Sequence, residues 1–251
     1  MRIRIFAVLL ALLLTLSLFA CAEESPEGET PTTEESVTES TSAEAPKEEE
    51  PEVLTAEDPE DFKYTELDGG GMLLTGVKEK KIVSCKLPEG VVAIASGAFQ
   101  GCTELESITF NAGLASVELG AFTGCSKLLQ AVNGVTYAGT WAVDCAEAVT
   151  SVSLREGTVG IANSVFAGCS KLSKPTLAEG LQKIGSGAFR DCTSLIILDI
   201  PTSLTEIAPD AFEGCTSLSQ VIVHEKSQRV IAEKIKQSAK RKKLTITVKK
   251  I

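Results

Sequence analysis

The chain has 251 residues, 43% of them hydrophobic but only 5% aromatic, and a formal net charge of −10. That length holds one domain of ordinary size with appendages, and its core must come mainly from Leu, Ile, Val and Ala. The charge is uneven, with a net of −15 over residues 22–61, +8 over residues 224–251 and −5 between them, so the central part lacks the basic field of a nucleic-acid-binding domain.

Arg2 and Arg4 precede an apolar run from Ile5 to Ala20. The run falls short of the roughly 20 residues a membrane span needs, and its basic start and small-residue end describe a secretory signal peptide over residues 1–20. Its last residues, Leu18-Phe19-Ala20-Cys21, resemble the lipobox of bacterial lipoproteins, although Phe19 is bulkier than that family usually shows. The resemblance implies a lipidated Cys21 and a membrane anchor; an ordinary signal peptide ending near a Cys is the alternative. The remainder of 21–61 is Glu, Thr, Ser, Pro and Ala, with Val37, Val53 and Leu54 as its large apolar residues. Such a segment buries too little to offset the entropy of ordering, which predicts a disordered acidic tether or, as the sharper reading, a cation-binding or glycosylated segment.

From residue 62 the chain predicts an N-terminal β cap over 62–84, with alternating stretches Phe62–Leu67 and Met72–Val77 around Gly69-Gly70-Gly71. A repeat then governs residues 85–223. Phe99 and Phe122 lie 23 residues apart, as do Phe166, Phe189 and Phe212; Cys102 and Cys125, then Cys169, Cys192 and Cys215, keep the same interval. Ile94, Val117, Ile161, Ile184 and Ile207 form a third column, and Leu105, Leu128, Leu172, Leu195 and Leu218 a fourth. A coil of this size cannot bury its apolar face alone, but stacked coils place each Phe on a Phe and each Leu on a Leu. Gly90, Gly113, Gly157 and Gly180 mark one turn; Gly101, Gly124, Gly168 and Gly214 mark another, where Asp191 replaces the fifth glycine. Both turns are expected in left-handed backbone.

The unit, with its Ala-Phe-x-Gly-Cys element, resembles the BspA-type leucine-rich repeat of bacterial surface proteins. The resemblance implies a right-handed solenoid, mainly β with short helical turns, and adhesion to host or partner-cell proteins. Two departures stand out: Val165 replaces the usual Ala, and Pro175 sits inside a predicted strand, where it removes a ladder donor. Residues 133–153 look like the family's hairpin-like spacer coil, with Tyr137 and Trp141 either packing it or stacking on a ligand. Residues 224–251 predict a basic cap: an amphipathic helix over 227–242 with Val230, Ile231, Ile235 and Ala239 on one side, then a strand from Leu244 to Val248.

Catalytic motifs are wanting. The single His, His224, reads as an exposed end-cap residue, and neither a phosphate loop nor a dinucleotide fingerprint occurs, so no enzyme, cofactor or metal is expected. The cysteine column reads as buried free thiols, because stacked strands lie about 4.8 Å apart and a disulfide prefers Cβ atoms nearer 3.8 Å. Binding is assigned to the outward strand positions Ser107, Thr109, Gln130, Val132, Lys174, Thr176, Ile197, Asp199, Gln220 and Ile222, with Ile197 and Ile222 as neighbouring exposed apolar residues. The expected partners are extracellular or host proteins, engaged by a monomer at the cell surface and without nucleic acid. The alternative is an envelope scaffold that binds cell-wall polymer through Lys240, Arg241, Lys242 and Lys243.

Overall fold

The computed structural model describes residues 54–146, 149–225 and 228–249. The signal peptide, Cys21 and the tether as far as Val53 lie outside the described residues.

The folded region begins earlier than residue 62. Strand β1 (Thr55–Ala56) pairs in parallel with Ser84–Lys86, and the Val83 N–H donates to the Leu54 carbonyl at 2.8 Å. Ala56 is 1% exposed, so a methyl within the acidic stretch reaches the core and fixes the strand. A short 3-10 turn at Pro59–Asp61 follows, closed by the Asp61 carboxylate, which accepts the Glu57 and Asp58 N–H groups. If residues 54–61 were tether, Ala56→Asp would be silent. In this structure it buries a carboxylate, and β1 undocks at a cost of about 1–2 kcal/mol, the worth of the backbone bonds it makes; thermal denaturation reads the difference.

The cap then forms as the alternation predicts. Strands β2 (Phe62–Glu66) and β3 (Met72–Val77) make an antiparallel hairpin, and β3 passes the ladder on to the first regular coil. Each regular coil contributes two short parallel strands: β4 (Ser84–Lys86) and β5 (Val91–Ile94), then β6 (Ser107–Thr109) and β7 (Ser116–Val117). Paired residues are one repeat apart, Ser84 with Ser107 and Ala93 with Ser116. Between a coil's second strand and its next first-row strand, the Ala-Phe-x-Gly-Cys segment winds through consecutive tight turns. In these turns the Gln100, Cys102 and Leu105 N–H groups each donate to the carbonyl three residues back.

Those turns bury the aromatic column. Phe99 stacks on Phe122 at 5.0 Å, and Phe189 lies between Phe166 and Phe212 at 5.1 Å on each side. The turn residue Asp191 adopts φ +58, the left-handed conformation its place in the glycine column requires. Gly180 does the same at φ +95, whereas Gly113 is absent from the left-handed positions, so that turn column is not uniform.

The spacer is a three-stranded meander of β8 (Gln130–Val132), β9 (Val135–Ala138) and β10 (Trp141–Cys145), beginning three residues before the predicted 133. Asn133 and Gly134 form its first turn, both at positive φ, the conformation a two-residue hairpin needs. Tyr137 and Trp141 are 0% and 2% exposed, so they pack the spacer. The Phe column breaks here, and Phe110 bridges it edge-on, 6.3 Å from Phe122 and 6.4 Å from Trp141. Arg155 clamps the meander: its guanidinium lies 4.4 Å from the Tyr137 ring centroid and donates to Gln130 and to the Gly139 carbonyl. On the second strand row, Lys183 spans the irregularity and donates to the Leu114 carbonyl at 2.8 Å.

Beyond the spacer, β11 (Gly160–Ile161), β12 (Lys183–Ile184), β13 (Ile197–Asp199), β14 (Glu206–Ile207) and β15 (Gln220–Val223) resume the two rows. Helix α1 (Arg229–Ser238) and β16 (Thr245–Val248) close the end. The helix buries Ile231, Ala232 and Ile235, but Val230 is 65% exposed, correcting its placement on the apolar side. In the regular coils a Phe N–H donates to the next coil's Ala carbonyl; Phe212 has no next coil and donates to the Ser238 Oγ at 2.9 Å. The cap therefore satisfies the last open donor of the Phe column.

Candidate binding surface

The first strand row is built from β1, β4 and β6 near one end and β13, β15 and β16 near the other. Ser107 and Thr109 are exposed on β6, as predicted, and so are Lys174 and Thr176. Gln130 and Val132 are also exposed, but the structure puts them on the spacer meander in the other sheet, and Gln130 is held by Arg155. These two are not part of the row.

The apolar patch is corrected. Ile222 is 7% exposed, because β15 is paired on both sides, with Asp199 and Thr247 as its neighbours. Ile197 is only half-buried and pairs with Gln220, itself half-buried and bonded to Thr247. The exposed apolar residue is Ile196, at 47%, in the turn just before β13. The alternation that placed Ile197 and Ile222 outward does not register that pairing on both sides covers Ile222.

Between coils the row is not uniform. Ser153 and Thr176 share one isolated parallel bridge, and among the described residues no strand pairing joins residues 174–177 to β13. Pro175 carries no N–H and cannot donate across this gap, so the sequence departure noted above has a structural consequence. A cleft of about 280 Å³ opens there, lined by Lys174, Pro175, Thr176, Asp199, Pro201 and His224. His224 is not a free end-cap residue: its Nε2 stands 2.8 Å from the Asp199 Oδ1. Glu179 at the rim accepts from the Thr202 N–H and hydroxyl at 3.2 and 3.1 Å. The cleft thus combines one ammonium, two carboxylates and one imidazole, a mixed polar surface on a rigid backbone. Three of the predicted row residues, Lys174, Thr176 and Asp199, meet in it. His224, Pro201 and Glu179 were missed, and the signal that could have found them is the Pro175 anomaly, in the coil of Glu179 and one and two coils before Pro201 and His224.

Of the basic run, Lys240 is paired with Glu213 at 2.7 Å, and that ammonium holds the Glu213 carboxyl below the usual range. Arg241 is half-buried, while Lys242 and Lys243 are exposed. With Lys236 and Glu233, residues Lys240, Arg241 and Lys242 border a shallow groove of about 320 Å³.

The cysteine column consists of free thiols, as the spacing argument predicts. Burial pushes the Cys85 and Cys215 thiols up to about 12. Among the described residues no group of three or more His, Cys, Asp or Glu could hold a metal ion. No helix among them is long and apolar enough to cross a membrane.

Stacked coils with Leu, Phe and Cys columns define a leucine-rich-repeat solenoid. The chain belongs to the BspA type leucine rich repeat region family, which matches it in six copies over residues 77–147 and 142–251. Among solved structures it is similar to the T. pallidum leucine rich repeat protein TpLRR, with 26% identity over 66% of this chain and 70% of that one, at a TM-score of 0.33. A leucine rich cell surface protein from Faecalibacterium prausnitzii is 19% identical over 66% and 59% of the two chains, with a TM-score of 0.34. A leucine-rich repeat protein from Eubacterium ventriosum is 13% identical over 76% and 83%, with a TM-score of 0.38. Curated proteins give no match.

Proposed function

We propose that this chain is a non-catalytic, exported lipoprotein that binds other proteins through its first strand row, in adhesion at the cell surface. The observation that carries the reading is the exposed row itself, above all the mixed-charge cleft where Lys174, Thr176, Asp199 and His224 meet. Membership of the repeat family supports it, as do the signal-like start and the Cys21 context. A backbone already ordered by coil stacking loses little entropy on binding, which suits a recognition surface.

A second reading has its own support. The groove bordered by Lys236, Lys240, Arg241 and Lys242, in a segment of net charge +8, suits an anionic cell-wall polymer. One array separates the two. The full chain, kept reduced, is presented to extracellular-matrix proteins, plasma proteins and cell-wall polymers at low and physiological salt. Retention by a protein at physiological salt is the expected result. Retention by polymer alone, lost as salt rises, sinks the adhesion reading and favours the basic cap.

A further inference from the structure

The cysteine column is irregular at one place. In regular coils the thiol donates to the Phe carbonyl of the preceding coil: Cys125 to Phe99 at 3.1 Å, Cys192 to Phe166 at 3.2 Å and Cys215 to Phe189 at 3.1 Å. The coil before Cys169 is the spacer, which supplies no such Phe. Cys145, the last residue of β10, stands there instead. Its Sγ lies 3.8 Å from the Cys169 Sγ and also donates to the Val165 carbonyl at 2.9 Å, so the two thiols face each other across adjacent coils. Of the seven described cysteines, six are buried and Cys145 alone is partly exposed. It also follows a register shift in β10, between Ala142 and Asp144, at a place where the backbone is already irregular.

We propose that Cys145 and Cys169 are a redox pair, converted to an intramolecular disulfide by a disulfide-bearing oxidant. Cys145, the accessible thiol, loses its proton and its thiolate attacks one sulfur of the oxidant R–S–S–R; a mixed disulfide forms and RS⁻ leaves. Cys169 then loses its proton and attacks the Cys145 sulfur, and the second RS⁻ departs. Two protein thiols are oxidised, one oxidant disulfide is reduced, and the two protons end on the released thiols. In the reduced pair the hydrogen bond the two thiols share pushes Cys145 up and Cys169 down, so Cys145 ionises only as that contact opens. Closing the sulfurs to bonding distance takes an approach of about 1.8 Å. The bond would tie the spacer meander to the coil that follows it, at the one place where the stacking columns are interrupted.

The test uses the reduced full chain, exposed while folded to oxidised glutathione and then mapped by peptide mass spectrometry without reduction. The expected product is one linked pair, Cys145 with Cys169, lighter by two hydrogens. Iodoacetamide should label Cys145 in the folded protein at least about tenfold faster than Cys125, Cys192 or Cys215, as thiol access dictates. Cys145→Ser, checked for folding by circular dichroism, should abolish the link without a substitute pair forming. Linkage of Cys102 to Cys125 in place of this pair overturns the proposal. So does the absence of any link together with Cys145 labelling no faster than the buried thiols.

Discussion

Phe189→Ala should lower stability by about 3–5 kcal/mol, the cost of removing a buried aromatic ring. Phe189 is fully buried and stacked on both faces, by Phe166 and Phe212, each at a centroid distance of 5.1 Å. The neighbouring coils cannot collapse into the gap, because their strands are held in ladder register one repeat apart. In a chain of this size the loss corresponds to a fall in Tm on the order of 10 °C. A comparison isolates the stacking. Phe99 has a single stacked neighbour, Phe122. Each aromatic pair adds about 0.5–1.5 kcal/mol beyond burial, so Phe189→Leu should cost more than Phe99→Leu by about one pair. Equal costs would mean that the rings contribute volume alone.

The second large effect lies at the spacer. Trp141→Ala should cost about 3–5 kcal/mol, since Trp141 is 2% exposed and its edge contact with Phe110 carries the aromatic column across the break. Its ring rests on Gly160, where an added Cβ would come within 2.6 Å of three ring atoms. Gly160→Ala should therefore cost about 1–3 kcal/mol by overpacking. The two losses are not independent: once the indole is gone the methyl has room, so the double variant should be less destabilised than the sum of the singles. Strict additivity in chemical denaturation would show that Trp141 and Gly160 do not share this contact.

These residues also show how far the sequence could be read. The 23-residue interval of Phe, Cys, Ile and Leu is a direct consequence of stacking, so it specified the coils, their register and their core. The interval between Phe122 and Phe166, 44 residues where two coils take 46, marks the spacer, and Asn133-Gly134 supplies its first turn. What was not legible depends on geometry between coils. Ala56 carries no periodic signal, yet one buried methyl extends the folded region into an acidic stretch. Ile222 alternates like an outward residue, but flanking by β13 and β16 covers it. The cleft at Asp199 and His224 arises from a donor missing at Pro175, an effect expressed only in how the next coil sits. Cys145 meets Cys169 because the spacer meander ends where a regular coil would have placed a Phe carbonyl. Each is a contact between residues 20 or more apart, which no local pattern encodes.

The central claim is that the exposed row at the cleft does the binding. Lys174 and Thr176 are exposed, and exposed substitutions usually change stability by less than about 0.5 kcal/mol. The decisive measurement is therefore the Kd of the double variant Lys174→Glu, Thr176→Glu, set against that of the unaltered chain, for a protein retained in the array. Binding should weaken at least about tenfold, a loss of about 1.4 kcal/mol, with Tm unchanged. An unchanged Kd on an intact fold would contradict the assignment and move the interface off the row.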